Sequence, residues 1–174
     1  MTSSFDRLIK NYSNARRNWE SWCFMINVDC ENNYPELPFY IRNDNFLSHY
    51  LYLSFKDFYI EIYKVVKKSS EDNIFNMLKK FISTNNDNVN ACKALEDLNN
   101  IDPLITKICN IRDKYYAHLD KNFESYINSN TTSVIEYYKC FIAIENAIIV
   151  LSSKEMLQTY LDEIPSRNDF SFKI

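Results

Sequence analysis

One of the chain's six arginines and one of its two histidines lie close together in the run Ile111-Arg-Asp-Lys-Tyr-Tyr-Ala-His-Leu-Asp-Lys121. An arginine stays charged at any physiological pH and can bridge two oxygens of a phosphate. A histidine is the side chain best placed to move a proton near neutrality. Together they are a minimal kit for cleaving RNA through its own 2′-hydroxyl. His118 would act as general base or acid for attack on the adjacent phosphorus, and Arg112 would offset the charge that builds on the phosphoryl oxygens. This chemistry requires neither a metal nor a cofactor.

The neighbours fit such a site. Asp113 follows the arginine and can orient a group beside it. Lys114 and Lys121 lie about one turn either side of His118 and can hold flanking phosphates. Tyr115 and Tyr116 bring hydroxyls close, with at least one expected in the core. Segment 107–121 sets Lys107, Arg112, Lys114 and Lys121 against two aspartates, so it is locally basic in a chain of net charge −3. On a regular helix, six residues leave Arg112 and His118 about 120° apart in angle and about 9 Å apart along the axis. Both reach one phosphate only if the helix end is distorted or a second subunit brings its own pair alongside. The plainer alternative makes Arg112 and Asp113 solvent-face charges and His118 an interhelical histidine.

Arg112, Asp113, Lys114, Ala117, His118 and Asp120 resemble the Arg-x(4–6)-His motif of the HEPN superfamily. The string RDKYYAHLDK is most similar to the AbiU-type abortive-infection HEPN proteins. The resemblance implies an all-α antiparallel bundle, a homodimer whose two motifs face one cleft, and a metal-independent endoribonuclease acting on RNA as a toxin or phage-defence effector. It also implies an antitoxin or operon partner. Many HEPN toxins paired with a nucleotidyltransferase carry His-x-Tyr, whose tyrosine is adenylylated. Asp120 stands at that position here, so that control does not carry over. A second match, Arg42 to His49, places its arginine in a Pro-bounded loop and lacks the surrounding signature.

The elements that must position these residues are helices. Phe5, Leu8, Ile9, Tyr12, Ala15, Trp19, Trp22, Cys23 and Ile26 recur at steps of three and four, which predicts a helix over about 4–29. Pro35 and Pro38 mark a loop at 31–42. A second helix runs from a cap at Asn43 or Asp44 to about Lys68, with Phe46, Tyr50, Leu51, Phe55, Phe58, Ile62 and Val65 as its apolar stripe. Ser69-Ser70-Glu-Asp caps a short helix over 71–83, and 89–99 is a further helical piece. Asp102-Pro103 reads as a start signal, with Asp at the cap and Pro at the first helical position, for a helix through Ile105 and Ile108 to about Lys121. After a loop at 122–132, a last long helix covers 133–160, followed by an irregular tail from about 162. No segment alternates with a period of two. The reading is a single all-α domain, an antiparallel bundle of four or more helices.

Composition removes other functions. With no glycine in 174 residues, a P-loop, a dinucleotide-binding turn and a nucleophile elbow cannot be built. Glu-x-x-His spacing for a di-iron bundle is absent and zinc lacks a ligand cluster, while a Cys–His nucleophile stays open as a thiol alternative, although no cysteine lies near either histidine in the sequence. The five cysteines form no C-x-x-C pair and read as reduced thiols in a soluble, cytoplasmic protein. The apolar run 141–151 is interrupted by Glu145 and is too short to span a bilayer. Most of the 13 tyrosines and 12 phenylalanines fall on apolar stripes, so core packing is favoured over base stacking. Arg7, Lys10, Arg16 and Arg17 form a basic edge on the first helix, either an RNA or partner surface or a solubility feature. Two further readings stand beside the nuclease: an inactive HEPN-like module that binds RNA or protein, and a plain helical interaction protein.

Overall fold

The structure, a computed structural model, describes residues 4–26, 43–85, 88–117, 133–152 and 154–162, without the side chains of 115–117 and 154. These residues form seven α-helices and one π-helical turn. In order they are α1 (Ser4–Ile26), α2 (Asn45–Val66), α3 (Ile74–Thr84), α4 (Val89–Asn100), α5 (Asp102–Ile111), the π turn Arg112–Ala117, α6 (Val134–Leu151) and α7 (Lys154–Leu161). No strand occurs among the described residues, so the expected all-α bundle is the observed class.

The core is built around Trp19 of α1, which is 1% exposed. Its indole packs on Trp22 of its own helix, on Phe58 of α2, and on Tyr137 and Phe141 of α6 at ring separations of 4.4 to 5.9 Å. Pairings along α1 fix the helix directions. Trp22 stacks on Phe55 while Trp19 meets Phe58 further along α2, so α1 and α2 are antiparallel. Tyr12 meets Glu145 while Trp19 meets Tyr137, so α6 also runs against α1. The Tyr59 and Tyr137 hydroxyls, 2.6 Å apart, join α2 to α6 inside the core. Burial pushes the Tyr137 hydroxyl up to about 12, so it stays protonated and available to this bond.

Four details depart from the sequence reading. The apolar stripe of α2 is buried only from Phe58 onward; Phe46 is 74% exposed and Tyr50 45%. Asn73, not the Ser-Ser-Glu-Asp run, caps α3, accepting from the Asn76 N–H at 2.9 Å. Asp102 lies inside α5 rather than capping it, and its carboxylate pairs instead with Lys68, just past the end of α2, at 2.7 Å. The last long helix is two helices. Ser152 leaves helical geometry and turns its hydroxyl back onto the Ile148 carbonyl at 2.9 Å, a bond that competes with helix continuation. The loops at 31–42 and 122–132, the end of the 103–121 helix, Cys30 and the tail beyond 162 lie outside the described residues.

The basic edge of α1 also divides. Arg16 turns inward, with its side chain 18% exposed. Its guanidinium donates to Glu145 and to Glu20, both at 3.1 Å, and lies 4.5 Å from the Phe141 ring centroid. The Tyr12 hydroxyl donates to Glu145 at 2.5 Å, and the Tyr138 hydroxyl donates to Glu20 at 2.9 Å. Burial raises the Tyr12 pKa well above its ordinary value, against the pull of Arg16, which keeps that donor intact. Removing the cation takes away the guanidinium that Glu145 and Glu20, both largely out of solvent, share. Arg16→Met should therefore lower stability by about 3 kcal/mol, the cost of breaking a buried pair, measured as a shifted urea midpoint at unchanged slope. A change under about 0.5 kcal/mol, the size of ordinary surface substitutions, would show the network to be superficial.

Candidate functional site

Arg112 stands where helical geometry changes. Ile111 before it is fully buried in the core. The Arg112 N–H is shared between the carbonyls of Ile108 and Cys109, and from Arg112 the chain enters a π turn that extends to Ala117. Such turns are rare, and frequent at functional sites. The wider i→i+5 turn changes the angular relation that a regular helix would set between Arg112 and the positions up to Ala117.

The guanidinium is held in place without being buried. Its carbon lies 4.4 Å from the Tyr63 ring centroid, and Nη1 donates to Asp113 Oδ1 at 2.9 Å. The Arg112 and Asp113 side chains are 33% and 47% exposed. An ion pair this exposed adds little stability. The packing on Tyr63 is the restraint that spans two helices, because that ring is itself buried in α2. Asp113 thus orients Arg112, the neighbour that sequence reasoning left unnamed. Lys114 is exposed beside them.

Among the other expected site residues, the backbone of Tyr115 and Tyr116 belongs to the π turn, and their side chains lie outside the described set. His118, Asp120 and Lys121 lie outside the described residues, as does Arg42. His49 is exposed on the second turn of α2, its ring 6.3 Å from that of Tyr52. The site therefore consists of the arginine half of the motif and its supports.

Sequence reasoning missed Tyr63, Lys67 and Cys109. Lys67 Nζ lies 4.7 Å from the same Tyr63 ring centroid. Its hydrogen bond to Tyr63 raises the ammonium pKa above the ordinary lysine value, a rise to which Asp113 adds. Tyr63 lies four residues after the buried Tyr59, a spacing that marks it as inward-facing, but nothing in the sequence says that the π turn after α5 supplies the cation above it. No group of three or more His, Cys, Asp or Glu among the described residues is placed to hold a metal ion, and no described helix is long and apolar enough to cross a membrane. Comparison with protein-family models, curated proteins and solved structures finds no match for this chain.

Cys109 sits about one helical turn before Arg112 and bears on the thiol alternative. Burial, then the charge of Asp113, pushes its pKa up to about 11. At pH 8 only about one thiol in a thousand would then be thiolate, too few for a nucleophile. Iodoacetamide at pH 8 should modify the exposed Cys92 well before Cys109, and Cys109 labelling should accelerate up to about pH 11. Peptide mapping that finds Cys109 modified first would reverse this assignment.

Proposed function

We propose that the chain is a metal-independent endoribonuclease of HEPN type, acting as a toxin or abortive-infection effector in the cytoplasm. The observation that carries the reading is the setting of Arg112. Its guanidinium is oriented by a buried ring and a carboxylate, partly open to solvent, at the start of a π turn that leads into His118. An arginine that only filled space would be turned into the core as Arg16 is. Arg112 remains accessible to an anion, with its planar fork already restrained.

In this mechanism the substrate phosphate takes Arg112 donors left over from Asp113. His118 removes the proton from the 2′-hydroxyl, the oxygen attacks phosphorus, and the P–O5′ bond breaks as a His118 imidazolium returns a proton to the leaving 5′-oxygen. Arg112 stabilises the added charge on the non-bridging oxygens. The products carry a 2′,3′-cyclic phosphate and a 5′-hydroxyl. His118→Ala should slow cleavage of RNA in EDTA by about two to four orders of magnitude, the range for a lost general acid–base. Arg112→Ala should cost a similar amount. Arg112→Lys should rescue poorly, because an ammonium cannot bridge two phosphate oxygens or lie flat on the Tyr63 ring. Activity of His118→Ala equal to wild type, or a strict need for magnesium, would end this reading.

The second copy implied by the resemblance would bring two Arg112–His118 pairs to one cleft, with the 103–121 helices near the twofold axis. Exposed apolar side chains support an assembly. Ile135 and Ile142 lie seven residues apart on α6 at 69% and 57% exposure, and Phe46 and Tyr50 project from α2. Light scattering should give twice the chain mass at micromolar concentration; a monomer there would count against the shared cleft. The alternative, an inactive HEPN-like module for RNA or a protein partner, predicts binding without His118-dependent cleavage.

A further inference from the structure

A groove of about 280 Å³ runs between the first turns of α1 and the last turns of α2. Arg7 and Lys10 line it from α1, Tyr63, Lys64 and Lys67 from the α2 side, and the single lining carboxylate among the described residues is Asp72. Two of the cations are already paired: Arg7 with Asp72 at 2.8 Å, and Lys64 with Glu61 at 2.6 Å. Lys10 and Lys67 have no carboxylate within ion-pair distance among the described residues. The groove is thus a concentrated positive patch on a chain of net charge −3. It is also continuous with the candidate site, because the Tyr63 ring lines the groove and carries both Lys67 and Arg112, at 4.7 and 4.4 Å from its centroid.

We infer that this groove holds backbone phosphates of single-stranded RNA beyond the one at Arg112, with Lys10 and Lys67 as the contacting cations. The choice of RNA rests on the ribonuclease reading. The polyanion requirement rests on the groove itself. Two lysines without a carboxylate in ion-pair distance among the described residues, facing one open channel, attract phosphate, and the attraction weakens as salt rises. Lys67 is positioned for this by Tyr63, so the strand passes from groove to scissile phosphate over a single ring. The pairs Arg7–Asp72 and Lys64–Glu61 border the channel and limit its positive field to this stretch.

The test uses a short single-stranded 2′-O-methyl oligonucleotide, which has no free 2′-hydroxyl and cannot be cut by the proposed chemistry. Its binding is followed by fluorescence anisotropy as salt rises from about 50 to about 200 mM. Lys10→Gln/Lys67→Gln should reduce the slope of log affinity against log salt by about 1.4, two single-strand phosphates at about 0.7 each. Lys79→Gln/Lys80→Gln, on the exposed face of α3, makes the same change in net charge and should keep the wild-type slope. Far-UV circular dichroism confirms that both variants are folded. Equal slopes for the two variants, or no binding by wild type, would overturn the groove. Cleavage of natural RNA alongside equal slopes would remove the groove and leave the nuclease. A slope change confined to Lys10 and Lys67 without any cleavage would keep the groove as a phosphate site and overturn the nuclease.

Discussion

The buried guanidinium of Arg16 is the constraint on which the other helices depend. Apolar packing alone would let α6 slide or rotate against α1, since Trp19, Phe58, Tyr137 and Phe141 present broad surfaces with several acceptable contacts. The Arg16 donors have directions. They must reach Glu20 on their own helix and Glu145 across the interface, each at 3.1 Å, while the guanidinium lies against Phe141. One register of α6 satisfies all of these, and any other strands a charge in a space with little water. The Trp19 cluster then seats α2 against α1 and α6 together, with Trp22 stacked on Phe55 as a second contact. Through α2 the constraint reaches Tyr63, and through Tyr63 it reaches Arg112.

The two arginines show how one residue type is assigned opposite work. Arg16 is surrounded by carboxylates and phenol oxygens, which raise its pKa despite burial, and its charge is neutralised within the fold. Among the described residues Arg112 has one carboxylate partner and packs on one ring, and both leave part of the guanidinium open. A ring restrains a cation without cancelling its charge, whereas a second carboxylate would restrain it and cancel it. An aromatic support is therefore the kind that suits an arginine kept for an incoming phosphate. Asp113 fixes orientation in the plane of the fork and still leaves donors over, because the guanidinium carries five N–H groups.

How much of this was legible in the sequence can be read residue by residue. The stripe through Leu8, Tyr12, Ala15, Trp19 and Cys23 is inward-facing as spaced, because five buried positions outweigh local noise in a helical period. Asp102 and Pro103 located the start of α5 correctly to within one residue. The cap itself was misassigned because Lys68, 34 positions earlier, offers Asp102 a partner that no local pattern reveals. Arg16 was read as part of a surface edge for the same reason: its partner Glu145 is 129 positions away. The clue lay at the other end, since a glutamate inside the apolar run 141–151 needs a buried partner. The break at Ser152 was hidden because Ile148 and Leu157 both continue the apolar pattern into the core across it. The π turn was illegible, since six residues are too few to separate two helical periods. At the site, the motif named Arg112 and Asp113, while Tyr63 and Lys67 emerged only from the packing of α2 on α5.

The lysines at the end of α2 have a simple explanation that must be weighed against a binding role. Cations near a helix C-terminus offset the partial negative charge of the last carbonyls, so Lys64, Lys67 and Lys68 would be favourable there with no ligand at all. That explanation treats the three alike, and the structure does not. Lys64 closes on Glu61 one turn back, and Lys68 crosses to Asp102 while lying near the Phe75 ring. Lys67 alone of the three turns toward a ring that also bears Arg112, so two like charges are brought to one support. Helix-end electrostatics gains nothing from that arrangement, and the mutual repulsion works against it. Asp113 relieves part of the repulsion, and a phosphate between the two cations would relieve more. The hydrogen bond to Tyr63 therefore accounts for where Lys67 stands, at an electrostatic cost that an anion at this corner would lower, and the helix end accounts only for its presence.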